Sequence, residues 1–197
     1  MTAFTPDEQD SADMAQLAAG HDTALNDLME RHAERLFHYL IRQLQNETEA
    51  ADLAQETFVR VYQNSSRYDA RQKFSSWLYA IATNLVRDRF RWRSRHPNVS
   101  LDHDDVDGRP GLQSTLPELE PTPREAAQIR EQAEMVQNAI AKLPEDLRTP
   151  LILFEYEEKS HAEIAEMLHC SAKAVELRLY RARQKLREQL SKILNPT

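Results

Sequence analysis

The sequence predicts an all-α fold: two small helical domains joined by an acidic, Pro-rich flexible linker, with a helix-turn-helix at the C-terminal end. Three observations predict it. The 197 residues include only 3 Gly and few β-branched runs, and Ala, Leu, Glu, Arg and Gln are abundant. Apolar residues recur at helical spacing on both sides of residues 96–121. That segment, HPNVSLDHDDVDGRPGLQSTLPELEP, carries Pro97, Pro110, Pro117 and Pro121 with Gly108 and Gly111, which break regular structure.

Residues 1–20 open with MTAFTPDEQDSADMAQ, acidic and without an apolar core. They are expected as a mobile tail and exclude a signal peptide. A first helix is expected over about residues 23–45, with Leu25, Leu28, Met29, Leu36, Phe37, Leu40, Ile41 and Leu44 at helical spacing. A second covers about residues 48–63 with Leu53, Phe58, Val59 and Tyr62, and a third about residues 74–93 with Trp77, Leu78, Ile81, Ala82 and Leu85. The polar loop 64–73 separates these two. Residues 21–95 thus form the first domain.

Residues 122–197 form the second. Thr122-Pro123-Arg124-Glu125 combines an N-cap, Pro at the first helical position and a capping Glu, so a helix should run to about residue 142. Pro144 starts another towards residue 158, and Pro150 should kink it or shift its start. Then comes SHAEIAEMLHCSAKAVELRLYRARQKLREQL, residues 160–190. Ser160 with Glu163 fits a capping box. Ile164, Ala165 and Leu168 share one face, and small Ala165 suits a close helix crossing. His169-Cys170-Ser171 forms the turn, and Ser171 can cap the next helix. Val175, Leu179, Ala182, Leu186 and Leu190 make its inward stripe. This is the layout that places one helix in the major groove of DNA.

Charge separates this hairpin from an ordinary core pair. From residue 170 to 197 there are seven Lys or Arg (Lys173, Arg178, Arg181, Arg183, Lys185, Arg187, Lys192) against Glu176 and Glu188, in a chain of net charge −7. The global acidity resides mainly in residues 96–121, with 6 acids and 1 base. A net acidic chain with local basic strips should bind DNA weakly alone, which points to a partner that supplies the remaining affinity. One cysteine excludes a disulfide framework, and no window approaches ~18 consecutive apolar residues, so no membrane span is expected. No catalytic set, cofactor or metal site is expected. The DHDDVDG string lacks the remaining ligand spacing of an EF-hand, and His161, His169 and Cys170 lack a fourth ligand for zinc, so Cys170 is assigned to the core. The product should be cytoplasmic.

Three further strips carry chemistry. RDRFRWRSR, residues 87–95, places Arg87, Arg91 and Arg95 in a line on one helix face that can track phosphates, with Phe90 and Trp92 available to stack on bases. The loop Arg67-Tyr68-Asp69-Ala70-Arg71-Gln72-Lys73 is polar and basic around one aromatic, which suits an unstacked base. Asp52, Gln55 and Glu56 share an exposed helix face suited to a protein partner.

The order DLAQETFVRVYQ, then FSSWLYAIATNLVRDRFR, then the acidic linker, then LPEDLRTPLILFEYEEKSHAEIAEMLHCSAKAVELRLYRARQKLRE resembles the bacterial RNA polymerase sigma factors of the extracytoplasmic-function group. The resemblance covers about residues 20–95 and 125–190. It implies that residues 21–95 act as sigma domain two and residues 122–197 as sigma domain four, in a factor that binds core RNA polymerase and helps open promoters. Asp52, Gln55, Glu56 and Phe58 would dock on the clamp helices of the largest polymerase subunit, with the flap region as a further contact. Arg67, Tyr68, Asp69, Arg71 and Lys73 would capture a flipped base of the −10 element, and Asn84, Arg87, Asp88 and Arg91 would contact the same element. Ser171, Lys173, Glu176, Leu177, Arg178, Tyr180, Arg181 and Lys185 would read the −35 element. The linker would thread through the polymerase towards the RNA path, and an anti-sigma factor would hold the protein inactive.

Two departures from the family pattern stand out. The turn residue is commonly Gly in such proteins. Here it is His169, which must adopt a left-handed conformation at some cost. The recognition helix has Glu176-Leu177 where a basic or small polar pair is usual; Glu176 can accept from a cytosine amine and Leu177 can touch a thymine methyl. The rival reading is a helix-turn-helix regulator that acts without polymerase as a dimer. It needs a ligand pocket or dimer seam in the first domain, and the sequence offers neither.

Overall fold

The computed structural model describes residues 5–96 and 123–194. Among them all regular structure is helical. The elements are α1 (Pro6–Ala18), α2 (Thr23–Leu44), α3 (Glu47–Gln63), a 3-10 turn (Ser65–Arg67), α4 (Phe74–Arg95), α5 (Pro123–Ala141), α6 (Glu145–Glu155), α7 (His161–Met167) and α8 (Ala172–Leu194). The expected linker, apart from His96, and the expected cap at Thr122 lie outside the described residues.

The helix ends follow local chemistry. Asn46 caps α3 by accepting from the Glu49 N–H at 2.9 Å. Ser160 and Glu163 close the capping box of α7: the Glu163 N–H donates to Ser160 Oγ at 3.2 Å and the Ser160 N–H to Glu163 Oε2 at 2.9 Å. His169 takes φ 51° in the turn, and Ser171 Oγ accepts from the Ala174 N–H at 3.2 Å to open α8. Pro150 lies buried inside α6, so the start of that helix is not shifted.

Residues 1–20 are not simply a tail. Thr5 and Glu8 form a capping box, with Pro6 at the first helical position, and α1 buries Met14 and Leu17. Its acids are not solvated either: Asp10 and Asp13 are buried and accept from Arg31, and Asp10 also accepts from His32 Nε2 at 2.7 Å. Partners 18 to 22 residues away on α2 neutralise charge that looks like solvated surface in the sequence.

The two groups of helices do not stand apart. α2 packs against α5 and α6, and α4 packs against α7, so one hydrophobic core continues from Met14 to Ala182. The seam between them is largely polar. Gln43 Oε1 accepts from Thr149 Oγ1 at 3.2 Å, Lys159 Nζ donates to Ser75 Oγ at 2.7 Å, and Ser76 Oγ donates to Glu163 Oε1 at 3.0 Å. The Arg42 guanidinium lies over the Tyr156 ring at 4.4 Å and that of Arg148 over Phe90 at 5.0 Å.

Candidate nucleic-acid interface

The helix-turn-helix is built as its spacing predicts. Ile164, Ala165, Val175, Leu179 and Ala182 are buried where α7 and α8 cross. That leaves Ser171, Lys173, Glu176, Leu177, Tyr180, Arg181 and Lys185 exposed on the other side of α8. Lys173, Leu177, Arg181 and Lys185 follow each other every fourth residue and so form one row. Arg178 is half-buried, with Nη1 3.7 Å from Cys170 Sγ, and Cys170 is half-buried against the core. Arg183 is exposed as well but is tied to α6, pairing with Glu155 at 2.7 Å.

The loop before α4 is already shaped. The Tyr68 hydroxyl donates to the Gln72 carbonyl at 2.7 Å, and its ring tilts against Trp77 at 5.3 Å. Arg71 donates to Asp69 through its backbone N–H at 3.0 Å and through Nη2 at 2.7 Å. The Arg71 side chain first, then its backbone N–H, hold the Asp69 carboxyl down to about 2. Arg67, Asp69, Arg71 and Lys73 are exposed.

On α4, Asn84, Asp88 and Arg91 face solvent, and Arg91 lies 3.7 Å from Asp88. Arg87 is half-buried, 3.8 Å from Glu145 at the start of α6. The five arginines of residues 87–95 are therefore divided. Arg89 and Arg93 turn the other way and pair with Glu49 of α3. Of the two aromatics in this strip, Trp92 is exposed and stacks on His96 at 4.7 Å, whereas Phe90 packs against the core beneath Arg148.

The α3 face requires a correction. Asp52, Gln55 and Glu56 are exposed, but Phe58 is only 4% exposed and belongs to the core. Val59 and Tyr62, expected in the apolar stripe, are each 45% exposed. The buried set is Ala50, Leu53, Thr57, Phe58 and Val61, which fixes the inward face of α3. Val59 and Tyr62 fall on its far side, beside Gln55. Their own spacing against Leu53 and Val61 carries this signal; apolar type alone hides it. A groove of about 660 Å³ runs between α3 and α4, with Asp52, Leu53, Glu56 and Arg60 on one wall and Leu85, Asp88, Arg89, Trp92 and Arg95 on the other. It joins the polar patch around Asp52 and Glu56 to the basic end of α4.

Among the described residues no helix is long and apolar enough to cross a membrane. Family models match in two places: "Sigma-70 region 2" over residues 28–96 and "Sigma-70, region 4" over residues 133–186. The chain is 37% identical to the ECF RNA polymerase sigma factor SigW of Bacillus subtilis, across 89% of this chain and 93% of that one. It is 31% identical to the RNA polymerase sigma-H factor of Pseudomonas aeruginosa, across 95% and 96%. Among solved structures, CnrH in complex with the cytosolic domain of CnrY is similar with a TM-score of 0.67 and 28% identity, over 93% of this chain and 97% of that one.

Proposed function

This chain belongs to the sigma-70 family of RNA polymerase sigma factors, in the extracytoplasmic-function group, and on that premise we propose how its residues divide the work of transcription initiation. As a sigma factor it binds core RNA polymerase and promoter DNA; it contributes binding energy rather than a catalytic group.

Residues 21–95, completed by α1, act as sigma domain two, and residues 122–197 act as sigma domain four, with the acidic segment 96–121 between them. Asp52, Gln55 and Glu56, with exposed Val59 and Tyr62, dock on the clamp helices of the largest polymerase subunit. The loop from Arg67 to Lys73 takes up a flipped base of the −10 element, and Asn84, Arg87, Asp88 and Arg91 contact that element. Seven exposed side chains on one side of α8 enter the major groove of the −35 element, joined by half-buried Arg178. The observation that carries this reading is that row: Lys173, Leu177, Arg181 and Lys185 are exposed while Val175, Leu179 and Ala182 hold the helix in the core. The protein works in the bacterial cytoplasm, where polymerase and promoters are.

Reading both elements at once requires the two halves to part. Their centres lie about 25 base pairs apart, roughly 85 Å of duplex at about 3.4 Å per pair. A folded chain of this length has a radius of gyration of only about 16 Å. Arg87 also sits against Glu145 in the closed arrangement. The polymerase supplies the separation, and an anti-sigma protein, a partner of the kind that CnrY's cytosolic domain is to CnrH, stabilises the closed form. Isolation from the native cell without any stoichiometric inhibitor, under non-inducing conditions, would count against that last point.

Run-off transcription with core polymerase over a promoter library tests the whole reading. Transcripts that need this protein and share a pair of upstream elements are expected. Arg178→Ala with Arg181→Ala should weaken promoter binding and spare polymerase binding, while Gln55→Ala with Glu56→Ala should do the reverse. Both pairs costing the same step would sink the division of labour.

A further inference from the structure

α1 lies outside both segments that match the family models, yet it touches the −10 loop at two places and reaches it at a third through α2. Asp7 lies 3.9 Å from Lys73. Ser11 lies beside Tyr68, and its side chain offsets part of the rise that burial imposes on the phenol's pKa. Asp10, only 2% exposed, accepts from His32 Nε2 at 2.7 Å and from Arg31 Nε at 2.9 Å. The His32 ring packs on Phe74 at 5.1 Å, and Phe74 meets Tyr68 at 6.2 Å and Trp77 at 6.3 Å. Phe74 and Trp77 are the floor on which Tyr68 rests. A line of direct contacts therefore runs from a buried carboxylate on α1 to the one aromatic residue of the loop.

We propose that α1 is a positioning element for the −10 loop and that Asp10 is its anchoring positioning residue. The inference rests on the assignment of residues 67–73 to base capture. Asp10 touches no DNA. A polar loop of seven residues loses conformational freedom when it grips an unstacked base, and a loop already held from behind loses less on binding. Asp7 and Ser11 hold the loop directly. Asp10 holds His32, and His32 holds Phe74, so the capture surface is set before DNA arrives.

The test uses full-length protein in holoenzyme with a promoter duplex carrying 2-aminopurine in the −10 element. Its fluorescence reports base unstacking, and core binding and −35 duplex binding are measured beside it. Asp10→Ala should lower the opening rate by about tenfold, as expected for loss of a charged hydrogen bond, with both binding constants little changed. Asp10→Asn, which keeps an acceptor, should restore part of the rate. A merely structural role would lower all three readouts together. Asp7→Ala with Ser11→Ala leaves the buried cluster intact and decides the matter if Asp10→Ala does not fold. That double variant should slow opening by about threefold, the scale of exposed polar contacts. Normal opening in the double variant, or in a folded Asp10→Ala, overturns the proposal. Tyr68→Ala separates the two layers. If it abolishes opening while the α1 variants leave it normal, only the role of α1 falls. If Tyr68→Ala also opens normally, the loop assignment falls first and takes this inference with it.

Discussion

Tyr79 of α4 donates its hydroxyl to Glu157 Oε2, which lies 78 residues away beyond α6 and has a side chain only 1% exposed. Arg35 Nε donates to the same oxygen at 3.1 Å, and Arg42 Nη1 lies 3.7 Å from the other. This cluster fastens the two halves of the molecule. It is also imperfect. Arg42 Nε, Gln43 Nε2, Arg148 Nε and Glu157 Oε1 are buried without a hydrogen-bond partner, and all four belong to the seam. A buried group that no water reaches costs about 1–3 kcal/mol when left unpaired, so this seam is held less firmly than a fully paired one.

Removing Glu157 should therefore open the molecule more than it unfolds it. Glu157→Ala leaves Arg42, 17% exposed, without its carboxylate, while half-exposed Arg35 keeps Glu158 at 3.8 Å. The cost is expected at or below about 3–5 kcal/mol, the value for a fully buried pair. Small-angle scattering should show a larger radius of gyration, with helix content by circular dichroism kept. A variant as compact as the parent would show that the apolar part of the seam suffices.

Phe58 and Val59 are neighbours with opposite fates. Phe58→Ala should cost about 3–5 kcal/mol in chemical denaturation, because it empties a filled core position. Val59→Ala and Tyr62→Ala should change stability by about 0.5 kcal/mol or less and weaken binding to core polymerase. Equal stability losses at positions 58 and 59 would contradict the orientation of α3.

The pH dependence follows from Asp10. Burial raises its pKa, but the hydrogen bond and charge of His32, followed by those of Arg31, outweigh burial, so the carboxyl sits below its ordinary value. The folded state then binds the proton less tightly than the unfolded chain. The stabilisation is present above the ordinary Asp pKa of about 3.9 and is lost as pH falls through the folded value. Melting temperature should drop below about pH 4 in the parent and fall less steeply in Asp10→Asn. Parallel curves for the two proteins would remove Asp10 from the account.

His169 occupies the left-handed region at φ 51° without glycine's freedom. His169→Gly should stabilise the protein by about 1 kcal/mol, the lower end of the cost of such a backbone, and raise the melting temperature without altering DNA binding. His169→Val should destabilise it, since a β-branched side chain tolerates that region least. A stabilising His169→Val would show that the turn relaxes out of this conformation.

Much of this architecture is local and therefore legible in one dimension. Ser160 and Glu163 meet three residues apart, Ser171 caps the helix it precedes, and the need for a left-handed residue at His169 follows from the shortness of the turn. Val175, Leu179 and Ala182 lie inward because a helix turns every 3.6 residues. The seven bases against two acids after residue 169 point to DNA before any fold is known. What the tertiary structure decided depends on partners far along the chain. Asp10 and Asp13 become buried, and α1 becomes part of the fold, because Arg31 and His32 meet them across a helix pair. The arginines of residues 87–95 separate into roles because Glu49 lies on one side of α4 and Glu145 on the other. Val59 leaves its expected place in the apolar stripe while Phe58 keeps its place there, because burial is set by the neighbour a face meets, and apolar character alone does not name that neighbour. The closure of one half upon the other, through Glu157, rests on side chains 78 to 122 residues apart, a separation at which helical periodicity carries no information.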